Sequence, residues 1–189
     1  MRGNTISTYN EYQIQALSTA IYPNDREVDY TIVGLGSEIG ELAEVYAEAK
    51  KGFYGKLNGA DTKEALSECG DIQWYVAATA DALGFQLDWV LQQTNTDIHH
   101  VSKGLTLVDI VVSHGKIQGI LKKSIRDDDG FLFSEREQAI AVELCHIWNH
   151  TAQFIYLLGG TEAGVMAANL NKLADRKARG VLQGSGNNR

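Results

Sequence analysis

The sequence has few of the residues and motifs that mark several common classes of protein. Its one proline, Pro23, leaves helices free to run through most of the chain. Its two cysteines, Cys69 and Cys145, lie within apolar helical patterns, so we expect buried thiols rather than a disulfide scaffold, as suits a reducing cytosol. Walker A, GxSxG and CxxC patterns are absent. Because no apolar run could span a membrane or resembles a signal peptide, we expect a cytoplasmic protein without membrane contact.

Length and charge narrow the choice of function further. The chain has 189 residues, of which 44% are hydrophobic, enough for one compact domain or two small halves packed together. Its formal net charge is −7 at pH 7. An acidic surface argues against binding to long nucleic acid, which needs a basic stripe. It leaves room for a small nucleotide, whose phosphates a metal ion and a few local cations can hold.

The spacing of the apolar residues predicts an all-α fold in which glycines end the helices. A first helix is expected over residues 8–21, with a buried stripe of Ile14, Leu17 and Ile21. A second helix begins near Asp29 and ends at Gly52. The apolar face of this second helix consists of Ile32, Leu35, Ile39, Leu42 and Val45. A third helix starts at Asp61 and ends at a C′ glycine, Gly84, and a short helix follows over residues 87–96.

Two pairs of acidic residues share a spacing of three. Glu38 and Glu41 lie on the second predicted helix, and Glu68 and Asp71 lie on the third. Residues i and i+3 of a helix share a face, so two antiparallel helices would bring the pairs around one cavity. Four carboxylates so close repel one another, and a divalent cation that prefers oxygen ligands, Mg²⁺ or Mn²⁺, relieves the repulsion. Such a site suits hydrolysis of a phosphoanhydride bond, with Glu38 or Glu41 taking a proton from the attacking water.

The second half of the sequence echoes the first. Residues 68–84 and 143–159 are identical at five of seventeen positions, and residues 38–41 can be aligned with residues 116–119. On this alignment the second copy has lost three acids, with Lys116, Gly119 and His146 in place of Glu38, Glu41 and Asp71. We interpret the chain as one domain, residues 1–189, with a degenerate internal duplication. Residues 1–100 would form the metal-binding half, and residues 105–189 the degenerate half.

Several segments resemble the MazG-like nucleoside triphosphate pyrophosphohydrolases, an all-α superfamily with an ExxE…ExxD signature. The segments are GLGSEIGELAE at residues 34–44, KKG at 50–52, ECGDIQWY at 68–75 and NLNKLADR at 169–176. The resemblance implies an antiparallel helical bundle of the MazG and all-α dUTPase type. It also implies magnesium-dependent hydrolysis of a nucleoside or deoxynucleoside triphosphate to the monophosphate and pyrophosphate, as in nucleotide house-cleaning or control of dNTP pools.

The resemblance also implies roles for individual residues. The metal ligands, for Mg²⁺ or in its place Mn²⁺, would be Glu38, Glu41, Glu68 and Asp71. The residues that hold the triphosphate would be Asn169, Lys172 and Arg176, with help from Lys51, and the candidates for contact with the nucleobase are Gln13 and Trp74. Lysine supplies a mobile charge for phosphate oxygens, and arginine a planar fork. The family mostly assembles from dimers, so we expect a homodimer or a monomer that imitates a dimer.

Two features depart from the family pattern. Ser37 occupies a position that is acidic in many members, which leaves the general base open between Glu38 and Glu41. The closing element at residues 169–176 follows the second half of the chain rather than the acidic half. We therefore expect a division of labour, in which the first half keeps the metals and the second half supplies the phosphate-binding element.

Two other functions fit parts of the sequence. A nucleotide sensor that binds metal and triphosphate with little turnover would suit a chain whose second half has lost its acids. A carboxylate-bridged di-iron or di-manganese redox bundle would need two ExxH motifs, and the second half has a single one, from Glu143 to His146. We therefore interpret His146 as a packing residue or part of a polar core.

Overall fold

A computed structural model describes residues 8–23, 25–52, 56–94 and 102–182. Over these residues it contains seven α-helices and no strand, which confirms the predicted all-α fold. In chain order the helices are α1 (Tyr9–Leu17), α2 (Glu27–Lys51), α3 (Gly59–Ala82), α4 (Leu87–Val90), α5 (Lys103–Asp127), α6 (Ser134–Leu157) and α7 (Glu162–Ala178). None of these described helices has both the length and the apolar character that crossing a lipid bilayer requires.

Two helical hairpins form the centre of the bundle. The first hairpin consists of α2 and α3, and the second hairpin consists of α5 and α6. Helices α2 and α5 each have 25 residues, and α3 and α6 each have 24. Helix α3 packs against α6, while α2 and α5 run antiparallel, with Gly36 beside His114 and Gly104 beside Tyr46. The two predicted halves therefore contain the same pair of central helices.

Capping groups and glycines set the ends of α3. The Asn58 side chain accepts hydrogen bonds from the first backbone N–H groups of the helix, and the Asp61 side chain accepts one from the Asn58 N–H in return. The helix therefore begins at Gly59, two residues before the predicted start. It ends where Gly84 takes a φ of +76°, as predicted for a C′ glycine, and Gly159 ends α6 in the same way with a φ of +81°.

The predicted first helix is too long, and two of the three residues of its apolar stripe are exposed, while Leu17 packs against the core. Helix α1 ends at Leu17 rather than Ile21, and the side chains of Ile14 and Ile21 are 70% and 50% exposed. The buried residues of α1 are instead Tyr12, Gln13 and Ala16. The Tyr12 ring packs edge-on against Trp148 with 5.9 Å between ring centroids. Aromatic packing therefore decides which face of α1 is turned inward.

The core lies between the hairpins and α1. The predicted buried positions of α2 are confirmed at Ile32, Leu35, Ile39 and Leu42, while Val45 is half-buried. Helix α2 begins at Glu27, slightly before the predicted start. Helix α4 is a single turn, so the predicted helix over residues 87–96 is too long, and residues 95–101 lie outside the described part of the chain. Cys69 and Cys145 are buried free thiols, as expected.

Candidate metal centre

Three carboxylates converge between α2 and α3. Glu38 and Glu41 are one turn apart on α2, and Glu68 belongs to α3. One oxygen of each side chain lies within 4.8 Å of the other two, a spacing that allows one metal ion to contact all three. Glu68 is 2% exposed, Glu38 is half-buried and Glu41 is exposed. The cluster therefore runs from the core of the bundle to its surface.

Burial and mutual repulsion raise the pKa of Glu38 to about 8. Removal from water is the largest cause, followed by the charges of Asp71, Glu41 and Glu68, while the Lys172 ammonium lowers the pKa. A carboxyl group in such surroundings keeps its proton at neutral pH unless more positive charge is supplied. Mg²⁺ and Mn²⁺ supply such charge and prefer oxygen ligands. The donor set therefore fits the expected metal.

Asp71, the fourth predicted ligand, lies beside the cluster and is held by residues of α7. Its two carboxylate oxygens accept hydrogen bonds from Asn169 Nδ2 at 2.7 Å and from Lys172 Nζ at 2.5 Å. Lys172 Nζ also donates to Ser67 Oγ at 3.1 Å. Asp71 is thus outside the group of three carboxylates, although its charge acts on Glu38. The sequence predicts four carboxylates around one cavity. The structure instead has a cluster of three carboxylates with the Lys172–Asp71 ion pair beside it.

Helix α7 reaches this place because α3 offers it a glycine. A methyl group added at Gly70 would lie 3.1 Å from Asn169 Cβ and 3.3 Å from a Val165 methyl, so a larger side chain would push α7 away. Asn169 is 3% exposed and Lys172 is half-buried. The structure thus brings these two predicted phosphate-binding residues to Asp71 across sequence separations of 98 and 101 residues. Arg176 follows one turn later on α7 and is buried, at 5% exposure.

Lys51, another predicted phosphate-binding residue, is remote from the cluster. It is the last residue of α2, ten positions beyond Glu41, which corresponds to about 15 Å along a helix. Its side chain is 70% exposed, and its Nζ pairs with Glu48 at 2.5 Å. The structure therefore does not bring Lys51 to the cluster, and its contact with the triphosphate stays a prediction.

Gln13 and Trp74, the candidates for contact with a nucleobase, use their polar atoms to hold α1 in place. The Gln13 amide nitrogen donates to two backbone carbonyls, one in α3 and one in the loop after it, and its oxygen accepts from the Leu87 N–H. Trp74 Nε1 donates to the Ala16 carbonyl at 3.0 Å. Gln13 is 5% exposed and Trp74 is 9% exposed. Both side chains therefore join helices together, and their contact with a base stays a prediction.

Within the described part of the chain, two cavities border the cluster and another borders Lys172. The α3–α7 cavity, of about 510 Å³, lies between those two helices and reaches Lys172. The tyrosine cavity, of about 520 Å³, lies beside Glu38 and is lined by Tyr30 and Tyr75. An acidic groove of about 290 Å³ between α2 and α3 includes Glu41 and Glu68 in its lining. The cluster is therefore accessible from more than one side.

Sequence reasoning missed the residues of the tyrosine cavity. A methyl group at Gly34 would overlap the Tyr75 ring, so this glycine allows the ring to lie directly against α2. Tyr30 lies beside Tyr75, with 6.4 Å between the ring centroids. The available signal was a glycine in the middle of a long helix, one turn before Glu38, where alanine would favour the helix more.

The second hairpin has an ion pair where the first has its carboxylate cluster. Lys116 Nζ lies 3.0 Å from Glu143 Oε1. In the sequence alignment Lys116 corresponds to Glu38, and Glu143 corresponds to Glu68. His146, aligned with Asp71, lies near His150, with 6.4 Å between ring centroids. Among the described residues, the group that could hold a metal ion consists of glutamates and contains no histidine. The paired ExxH arrangement of a redox bundle thus gains no support.

The fold and the site define an all-α bundle with a carboxylate cluster between the two helices of one hairpin. The chain is 39% identical over 89 residues to the Gene 37 protein of Mycobacterium phage L5, a match that covers 46% of this chain and 78% of the relative. The chain belongs to the family of that phage protein. The name of the relative states no activity. No protein family model and no solved structure matches the chain.

Proposed function

We propose that the protein is a magnesium-dependent pyrophosphohydrolase that converts a nucleoside or deoxynucleoside triphosphate to the monophosphate and pyrophosphate. The observation that carries the proposal is the cluster of Glu38, Glu41 and Glu68 next to the Lys172–Asp71 ion pair. Carboxylates that can bind Mg²⁺, beside a lysine that can bind phosphate, are what triphosphate hydrolysis needs. The resemblance to the MazG-like enzymes supports the same reaction.

The proposal extends to the setting of the reaction. Because α7 of the same chain supplies Asn169 and Lys172, a monomer that imitates a dimer contains all the parts. We place the activity in the cytoplasm, in nucleotide house-cleaning or the control of dNTP pools. Long nucleic acid is not part of the proposal, since the net charge is −7.

Each residue has a defined task in the proposed reaction. Glu38, Glu41 and Glu68 would hold the Mg²⁺, which when bound neutralises charge on phosphate oxygens and lowers the pKa of water. Lys172 binds the phosphate chain, and Asp71 keeps the ammonium group in position. Glu38 or Glu41 accepts a proton from the attacking water as its oxygen bonds to phosphorus. The phosphoanhydride bond between the α- and β-phosphates breaks, and its electron pair stays on the bridging oxygen.

A nucleotide panel tests the proposal directly. The protein is incubated with Mg²⁺ and each canonical NTP and dNTP, and dUTP, and the products are separated by anion-exchange chromatography. We expect monophosphate and pyrophosphate in equal amounts, and loss of both in Glu41→Gln. Glu41 is exposed, so the substitution should leave the fold intact, which circular dichroism can verify. Glu135→Gln, which removes the same charge at an exposed position of α6, is the control and should remain active.

Two results would contradict the proposal. Release of inorganic phosphate and a diphosphate would assign cleavage to a different bond. No turnover of any nucleotide with Mg²⁺ or Mn²⁺ would exclude the enzyme, and equilibrium binding of the same nucleotides would then decide whether the protein is a sensor.

A further inference from the structure

The geometry points to the α3–α7 cavity as the subsite for the nucleoside part of a nucleotide, with the phosphates directed toward Lys172. The inference rests on the proposed function and adds the place where base and sugar are held. The cavity has a volume of about 510 Å³, which lies within the ordinary range of small-molecule sites.

The walls of the α3–α7 cavity suit a flat organic ligand. Leu66 and Val165 provide apolar surface, and the remaining lining includes small residues such as Gly70, Gly160 and Ala168. Pockets for small molecules are mostly apolar and contain a few placed polar groups. A planar base can pack closely on walls of this kind.

Polar groups in the lining indicate how a nucleotide would be oriented in the cavity. Asn169 lines it and is 3% exposed, its Nδ2 donates to Asp71, and its Oδ1 has no hydrogen-bond partner among the described residues. A buried acceptor without a donor is costly, and an N–H of a base or an O–H of a sugar would satisfy it. Lys63 and Lys172 also line the cavity and supply positive charge for phosphates.

The cavity is connected to the carboxylate cluster through Lys172. This residue lines the cavity and pairs with Asp71, which lies one turn after Glu68 on α3. The phosphates of a nucleotide in the cavity would therefore point toward the helix turn that carries Glu68. The tyrosine cavity also borders Glu38. The cationic residue in its lining is Arg26, which is largely exposed and pairs with Asp29 at 3.1 Å, so it does not direct phosphates toward the cluster as Lys172 would.

Substitutions that fill each cavity test the assignment. Ala168 is an exposed residue of α7, so Ala168→Phe places a ring in the α3–α7 cavity without disturbing the core. Ala174→Phe, at an exposed position of the same helix outside the lining, is the matched control. Val33→Phe fills the tyrosine cavity from a position that is 65% exposed. The measurements are kcat and KM for dATP, dCTP, dGTP and dTTP with Mg²⁺, and inhibition by inorganic tripolyphosphate.

We expect Ala168→Phe to raise the KM of the best substrate about tenfold or more and to leave the inhibition constant of tripolyphosphate within about twofold. The other two variants should leave both quantities within about twofold. If Val33→Phe raises KM and Ala168→Phe does not, the nucleoside binds in the tyrosine cavity, and the inference fails while the proposed function stands. The inference would also be overturned if Ala168→Phe raised the inhibition constant of tripolyphosphate by the same factor as the KM of the nucleotide. A folded wild-type protein that neither hydrolyses nor binds any nucleotide of the full panel of NTPs, dNTPs and dUTP would overturn both.

Discussion

The first and second hairpins have the same helical frame and opposite charge arrangements inside it. In the first, Glu38, Glu41 and Glu68 meet in one group, and the pKa of Glu38 rises to about 8. In the second, Lys116 stands at the position that matches Glu38 and lies 3.0 Å from Glu143. The second hairpin therefore places a lysine beside its glutamate, whereas the first gathers three carboxylates close enough to contact one cation.

This difference separates what the fold needs from what the site adds. The second hairpin packs its 25- and 24-residue helices with a single ion pair at this level, so the carboxylate cluster is not required to form a hairpin. Like charges held together raise the free energy of the folded protein in the absence of a counter-ion. The helical frame does not need this cluster, and the cluster lowers the stability of the fold. Binding of a cation, as proposed above, is the simplest explanation for it.

The largest expected effect comes from removing the matching glutamate of each hairpin. We expect Glu68→Gln to lower kcat/KM by about a hundredfold or more and to weaken Mn²⁺ binding, because a buried ligand is lost. Glu143→Gln should leave both quantities unchanged. Turnover assays and calorimetric titration with Mn²⁺ measure the two effects. Equal losses in both variants would contradict the assignment of the metal centre to the first hairpin.

Lys172→Met should have the next largest effect and should separate phosphate binding from metal binding. Removal of the ammonium group takes away a charge-assisted contact, so we expect tripolyphosphate and nucleotides to bind about ten to a hundred times more weakly. Mn²⁺ should bind at least as tightly as in the wild type, because a positive charge near Glu38 has been removed. Lys122→Met, at an exposed position of α5, is the control. Weaker Mn²⁺ binding in Lys172→Met would show that this lysine supports the metal centre instead.

The sequence predicted the parts of the site that depend on helical periodicity. The spacing of Glu38 and Glu41, together with the buried residues Ile39 and Leu42, places the acids on α2 and fixes their direction. Glu68 follows from the same reasoning on α3. Such contacts are local or join two consecutive helices, so a pattern in the sequence is sufficient to find them.

The remaining parts depend on contacts between distant helices. Lys172 lies 101 residues from Asp71, and a resemblance, rather than a spacing, suggested that they work together. No local pattern shows that the Gln13 amide binds backbone groups 64 and 72 residues away. Ile14 fits a helical stripe, but the packing of Tyr12 on Trp148 turns the other face of α1 inward. Tertiary packing overrides a weak apolar stripe in a short helix.

The pH dependence of the metal-free protein provides a smaller test of the same comparison. Glu38 has a pKa of about 8 in the folded protein against an ordinary value of 4.5. Between these values the folded state binds more protons than the unfolded state, so this group makes stability fall as pH rises from about 4.5 to about 8, and then level off. Metal binding near pH 7 should release up to about one proton from Glu38.

Denaturant unfolding in EDTA at several pH values measures the slope, and calorimetry in buffers of different ionisation enthalpy measures the released protons. Glu38→Gln should reduce the slope and the proton release, since it removes the titrating group. Glu143→Gln should change neither, because the corresponding glutamate of the second hairpin has its lysine partner. A wild-type slope of the opposite sign in this window would show that another group dominates.

The smallest expected effect lies in the second hairpin, where the internal cation can be removed. Lys116→Met leaves Glu143, whose side chain is 12% exposed, without its ammonium partner. We expect the free energy of unfolding to fall by about 1 kcal/mol, because the lysine side chain is 55% exposed and solvent already weakens the pair. Lys123→Met, at an exposed position of α5, is the control for loss of one charge. Lys116→Glu, which recreates two facing acids, should cost more, and millimolar Mn²⁺ should recover part of that cost. If Mn²⁺ stabilises Lys116→Glu no more than it stabilises the wild type, facing acids alone do not form a cation site in this frame, and Glu41 is needed to complete the one in the first hairpin.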